Sequence, residues 1–99
     1  MGKREITVKL SAARSIAEVS WYIESRGMIK TAEKFSDSVY DFIETLADQR
    51  KSYRLCKDPG RARFGFKCVN YNKKYTVVLI ETESEIIVCE FIASKLIWW

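Results

Sequence analysis

The chain has 99 residues, 47% of them hydrophobic, with a formal charge of +4 and no histidine. That describes one domain with a small core, too apolar to be disordered and without the run of ~20 apolar residues that a membrane span needs. Lack of histidine excludes Ser-His-Asp and Cys-His catalysis and histidine-ligated metal centres, so any proton transfer falls to Lys, Tyr, Asp, Glu or the substrate.

The opening residues, Met1-Gly2-Lys3-Arg4-Glu5, carry no signal-peptide core, and a cytoplasmic location is expected. From 5 to 10, Ile6, Val8 and Leu10 alternate with Glu5, Thr7 and Lys9, which predicts a half-buried strand. Ser11 is placed to cap a helix in which Ala12, Ile16, Val19 and Ile23 recur at helical spacing up to Arg26, with Gly27 as the stop. A second helix carries Ala32, Phe35, Val39, Phe42, Ile43 and Leu46 on one face. Its other face holds Glu33, Lys34, Asp37, Asp41, Glu44 and Asp48. This reads as a solvated face, because nothing there supplies the apolar burial that raises a catalytic carboxylate's pKa. The short link from Gly27 to Lys30 forces the helices into an antiparallel hairpin, in whose packing Trp21 and Tyr22 are expected.

Residues 49 to 62 are polar and basic, with Pro59-Gly60 as a turn signal. Three strands follow, Arg63 to Tyr71, Lys74 to Glu81 and Glu85 to Ile92, joined by a bend at Asn70–Lys73 and a turn at Thr82–Ser84. Connections this tight make an antiparallel meander. The predicted architecture is α+β: an N-terminal strand, a two-helix antiparallel hairpin, then the three-stranded meander, with the helices on one face of a single sheet. Cys56, Cys68 and Cys89 form an odd set without CxxC spacing, so neither a disulfide framework nor a zinc knuckle is expected. Cys68 and Cys89 read as small buried strand residues. No metal or other cofactor is implied. The apolar ending Leu96-Ile97-Trp98-Trp99 either folds back over the sheet or helices or forms a patch for a partner chain.

Charge is the most uneven feature of the chain. Between Arg50 and Lys74 nine basic residues face one acid, Asp58, a net of +8, while the first 49 residues carry −1 and the last 25 carry −3. Such a field draws polyanions. The nine are Arg50, Lys51, Arg54, Lys57, Arg61, Arg63, Lys67, Lys73 and Lys74, interleaved with Tyr53, Phe64, Phe66 and Tyr71. Cations neutralise phosphates and rings stack on unpaired bases; a solvated loop and an edge strand kept soluble by lysine is the plainer alternative. Strand parity places Arg63, Gly65, Lys67, Val69 and Tyr71 on one face and Phe64, Phe66, Cys68 and Asn70 on the other. The phenylalanine side is expected to meet the helices, leaving Arg63, Lys67 and Tyr71 on an open platform. Gly65 either gives a phosphate room to approach or marks a bulge.

The order of elements, with Ile6-Thr7-Val8-Lys9-Leu10-Ser11 at the start, Trp21-Tyr22-Ile23 late in the first helix, Ala32-Glu33-Lys34-Phe35 opening the second, and Tyr75-Thr76-Val77-Val78 followed by Ile86-Ile87-Val88, resembles the RelE/ParE toxin superfamily. The resemblance covers nearly the whole chain. It implies the toxin of a type II toxin–antitoxin system, of the kind also grouped as plasmid stabilisation proteins. A cognate antitoxin would wrap it by coupled folding and binding, in a homodimer or a toxin–antitoxin hetero-oligomer. Two activities follow from the resemblance: ribosome-dependent mRNA cleavage through the basic sheet surface, as in the RelE-like branch, is the first reading, and non-enzymatic inhibition of DNA gyrase, as in the ParE-like branch, is the alternative. A degenerate toxin that keeps only antitoxin binding is the third option. For cleavage, the RNA 2′-OH attacks its own phosphate while cations offset the developing charge. The catalytic candidates are then Arg61, Arg63 and Lys67 where the meander begins, Lys95 after the last strand, and Tyr71 as a stand-in acid–base group. Arg54, Lys57, Lys73 and Lys74 would contact nucleic acid. Ala93 stands where several family nucleases carry histidine and no tyrosine follows Lys95, so the usual terminal acid–base group is missing.

Overall fold

In the computed structural model, which describes residues 3–97, strand β1 (Glu5–Val8) leads into helices α1 (Leu10–Ser25) and α2 (Ile29–Thr45). A short helix α3 (Pro59–Ala62) precedes strands β2 (Lys67–Tyr71), β3 (Tyr75–Glu81) and β4 (Glu85–Ala93), and a 3-10 turn spans Ser94–Leu96. The strands lie in the order β1-β4-β3-β2. The last three form the expected antiparallel meander, and β1 joins the free side of β4 in parallel, Ile6 opposite Ile86.

The helical hairpin leaves and returns beside β1. The Lys9 amide donates to the Val88 carbonyl at its start, and the Ala47 carbonyl accepts from the Arg4 amide at its end. Gly27 turns the chain between the helices with φ +83, a left-handed conformation that a Cβ would resist. Because only the base of the hairpin lies on the sheet, its far end is bare. Trp21 and Tyr22, expected in the packing, are 69% and 56% exposed. Ser11 also departs from expectation. Lys9 is the N-cap residue, and the Ser11 hydroxyl donates to the Cys89 carbonyl at 2.9 Å, stitching α1 to β4 instead of capping the helix.

Two apolar clusters sandwich the sheet. On the helical face Ala12, Ile16, Val39, Ile43 and Leu46 meet Val77, Leu79, Ile86, Val88 and Phe91. An irregularity between Val78 and Leu79 leaves Cys89 without a partner in the register, which lets Val88 and Phe91 face the same side despite their odd spacing. On the opposite face a smaller cluster joins Cys56, Cys68, Val78 and Ile97, flanked by Phe66 and Ile92. Ile97 thus folds back onto the sheet as one of the two expected alternatives; Trp98 and Trp99 lie outside the described residues.

Three expectations for residues 56–71 are corrected. The strand begins at Lys67 rather than Arg63, because Asp58 caps a helical turn, its carboxylate accepting from the Gly60 amide at 3.2 Å, with Pro59 in the first helical position. The parity is opposite to that predicted: Val69 and Tyr71 pack with the helices, while Phe66 and Cys68 lie on the other face and Phe64 is 73% exposed. Finally, Cys56 and Cys68 are joined in a disulfide, whereas Cys89 is the buried free thiol that was expected.

Candidate functional site

The chain between α2 and β2 is organised around Arg4, which sequence reasoning passed over. Its guanidinium, 4% exposed, reaches Glu81 Oε2 at 2.8 Å and donates to the carbonyls of Asp48 at 2.8 Å and Lys51 at 3.0 Å. The Tyr53 hydroxyl donates to the Leu46 carbonyl at 2.9 Å. Together they satisfy carbonyls at and beyond the end of α2, where a cation is also favoured by the helix dipole. Burial pushes the Glu81 carboxyl up, but the Arg4 hydrogen bond, a Tyr53 backbone interaction and the charges of Lys67 and Arg4 outweigh it and hold it below its usual range. Burial raises the Tyr53 phenol.

Two of the three catalytic candidates at the start of the meander sit in ion pairs. Arg61 grips Glu90 with two hydrogen bonds, at 2.9 and 2.8 Å, and also pairs with Asp58. The hydrogen bond to Glu90 raises the Arg61 pKa against the opposing effect of burial, and Asp58 adds to it. A guanidinium facing two carboxylates brings no net positive charge to a phosphate. Lys67 donates to the Tyr53 carbonyl at 3.1 Å and lies 3.5 Å from Glu81 Oε1, so Arg4 and Lys67 share that carboxylate. Arg63, at the end of α3, is exposed, and its side chain has no carboxylate partner among the described residues. Tyr71 belongs to the helix-side core, its ring 5.0 Å from Phe42 and 6.4 Å from Phe91.

Lys95 lies elsewhere, with two of the nucleic-acid candidates. Asn72 and Lys73 both have positive φ, 53 and 62, and the Asn70 side chain accepts from the Lys73 amide at 2.7 Å, which closes the β2–β3 turn. Pairing of Tyr75 with Ala93 brings this turn beside the 3-10 segment, and the Ser94 amide donates to the Lys74 carbonyl at 2.8 Å. Lys73, Lys74, Tyr75, Ala93, Ser94 and Lys95 line a concavity of about 390 Å³ without a carboxylate among them. The hydroxyl of Ser94, one of the lining residues, is 3.0 Å from that of buried Thr76. Larger hollows of about 810 and 710 Å³ flank Lys51, but acids and bases alternate around both. In the first, the side-chain and backbone hydrogen bonds from Arg50 lower the Asp48 carboxyl to about 2. Arg54 and Lys57 project from the exposed loop before α3.

The basic stretch therefore divides into members paired with carboxylates, Arg50, Arg61 and Lys67, and exposed cations in two places: Lys51, Arg54, Lys57 and Arg63 before β2, and Lys73 and Lys74 at the turn, where Lys95 from outside the stretch joins them. Sequence reasoning missed Arg4, Glu81 and Glu90 as organising groups. The signal for Glu90 was available: a carboxylate between Cys89 and Phe91 in the otherwise apolar run from Ile86 to Ala93 favours a cation beside it.

No family model matches the sequence, and no curated protein matches it. Among solved structures, a chain from the chromosomal ParDE TA system from P. aeruginosa superposes with a TM-score of 0.75 over 94% of this chain and 98% of that one, at 10% identity. The likeness is one of fold, and it is the fold that the RelE/ParE resemblance implies. Among the described residues no helix is long and apolar enough to cross a membrane.

Proposed function

We propose that the chain is the toxin of a type II toxin–antitoxin pair and that it acts by binding DNA gyrase, without catalysis. The fold likeness to a chain of a ParDE system supports the toxin reading and, with it, a cognate antitoxin as partner and the cytoplasm as its location. The observation that carries the choice of target is the dispersal of the nuclease candidates. Arg61 is held by Glu90 and Asp58, Lys67 by Glu81, Tyr71 is packed against Phe42, and Lys95 lines a different concavity. In-line cleavage of RNA needs a base, an acid and cations converging on one phosphate.

Purified protein is expected to inhibit gyrase supercoiling, to leave ribosome-bound mRNA intact, and to lose its effect when the antitoxin is added. Unaffected supercoiling together with ribosome-dependent cleavage would replace this reading with the endonuclease. Absence of growth arrest on expression without antitoxin would leave antitoxin binding alone.

One observation favours the endonuclease as a second reading. The concavity of Lys73, Lys74 and Lys95 has the charge to neutralise a phosphodiester attacked by its own 2′-OH. In that case the triple alanine variant at these lysines abolishes cleavage while remaining folded.

A further inference from the structure

The Cys56–Cys68 pair takes no part in the surfaces described above. We propose that it is a reversible redox site: its disulfide clamps the basic loop of residues 54–66 to the sheet face opposite the helices, and exchange with a dithiol reductant releases that loop.

Cys56 lies in the loop and Cys68 in β2, and both are buried, at 2% and 6% exposure. The segment between them contains Lys57, Asp58, α3, Arg63 and a left-handed Gly65 at φ +80. Apart from the covalent bond, a small set of contacts holds the segment. The Cys56 amide donates to Phe66 O at 3.0 Å, the Cys68 amide to Arg54 O at 3.1 Å, and Arg61 grips Glu90. The apolar cluster beneath it has four buried members, and the bonded cysteines are two of them. Reduction leaves two small apolar thiols that still fit the cluster, but it removes the tie that limits loop opening. The remaining hold is of the kind that opens locally, well before the rest of the domain.

Ile97 packs with the two cysteines in the same buried cluster. It follows a single 3-10 turn whose cap is the Ile97 amide donating to Ser94 O at 3.3 Å. Cys89 is a poor competitor for exchange, being a buried residue within β4 with its thiol pushed up by burial.

The exchange balances with a dithiol as co-reactant. One thiolate of the reductant attacks a sulfur of the pair, the Cys56–Cys68 bond breaks, and a mixed disulfide forms. The second thiol of the reductant then displaces the protein sulfur, and the reductant leaves as its own disulfide. Two electrons and two protons pass to Cys56 and Cys68. In a reducing cytoplasm a disulfide is characteristically transient and redox-sensing. That setting rests on the function proposed above, whereas the exchange itself stands on the pair. The released loop carries Arg54, Lys57, Arg61 and Arg63, so reduction changes how four of the nine cations of the stretch are presented.

Native-state trypsin digestion of the full chain tests the switch, after oxidation with glutathione disulfide or reduction with dithiothreitol, with cut sites mapped by mass. Cleavage after Lys57, Arg61 and Arg63 is expected to accelerate by about tenfold or more on reduction, with cleavage after Arg14 and Lys34 unchanged and the original rates restored on reoxidation. The Cys56→Ser, Cys68→Ser double variant should cut at the fast rate in either buffer, and the wild-type comparison decides alone if that variant does not fold. Equal loop cleavage in both states, acceleration spread over the helices, or a bond that survives dithiothreitol in the folded chain would each overturn the proposal. Absence of gyrase inhibition would leave these rates untouched, so the two readings fail separately.

Discussion

Replacing Arg4 by alanine is the most informative perturbation of the fold. The side chain is 4% exposed and its partner Glu81 14%, with 2.8 Å between them, so this is a buried ion pair and not a surface one. Removing one partner of such a pair costs about 3–5 kcal/mol, because the other charge stays behind in a poorly hydrated place. Lys67 lies 3.5 Å from the second Glu81 oxygen and offsets part of that charge. The expected loss therefore sits at the lower end, about 3 kcal/mol, and includes the donors withdrawn from the Asp48 and Lys51 carbonyls. For a domain of this size each kcal/mol lowers Tm by about 4–8 °C, so Arg4→Ala should melt about 12–24 °C below the parent. Urea unfolding followed by circular dichroism gives the free energy directly, and an unchanged m-value shows that the folded state is still compact. A loss below about 1 kcal/mol would mean that the guanidinium behaves as a surface charge. The closure of α2 would then have to come from Tyr53 and the backbone alone.

The other expectations follow from the same placement of charge. Arg61→Ala should cost about 1 kcal/mol, since its pair with Glu90 is partly hydrated, while Arg63→Ala should stay within about 0.5 kcal/mol of the parent; reversed values in urea titration would contradict the assignment of Arg61 to structure. Single-stranded RNA binding should lose about 2 from its log–log salt slope when Lys73, Lys74 and Lys95 are all changed to alanine, and an unchanged slope would remove the turn concavity from the anion surface. Glu81 and Asp48 both have lowered folded-state pKa values, against ordinary values of 4.5 and 3.8. Their contribution is fully present above those ordinary values and is lost as pH falls through the folded ones, for Asp48 toward about 2. Urea midpoints should therefore fall steadily on acidification from about pH 5, with the Asp48 part absent in Arg50→Ala; a flat profile would count against both ion pairs.

Periodicity made the element order and the helical hairpin legible, and Gly27 fixed the hairpin's turn. Parity in residues 63–71 misled for a specific reason. Both faces of the sheet are covered, one by the helices and the other by the disulfide loop and Ile97, so Phe66 and Tyr71 each find apolar company on opposite sides. Alternation then carries no sign. Ser11 illustrates a similar ambiguity: its hydroxyl could serve the helix or the neighbouring strand, and the Cys89 carbonyl is the partner it reaches. The cysteine pairing was invisible because a 12-residue separation is no motif. What joins Cys56 to Cys68 is the short bridge between Leu55 and Lys67, a tertiary event.

Charge counting failed in a more instructive way. Within Arg50–Lys74 the single acid Asp58 left a net of +8, yet the carboxylates that neutralise Arg61 and Lys67 come from Glu90 on β4 and Glu81 on β3. Ion pairs spanning this much sequence cannot be seen in a local window. Once they are made, and with Arg50 paired to Asp48, the cations left free divide into the loop group of Lys51, Arg54, Lys57 and Arg63 and the turn group of Lys73, Lys74 and Lys95. Catalysis on one phosphate needs several groups within hydrogen-bond reach of the same atoms. Binding a large partner asks only that like charges be spread over the contacted surface, where they steer encounter and set register. Exposed cations divided between a loop and a turn, with Arg61 and Lys67 neutralised, meet the second requirement better than the first. That is the physical ground on which the function proposed above is one of binding a target and not of cutting it.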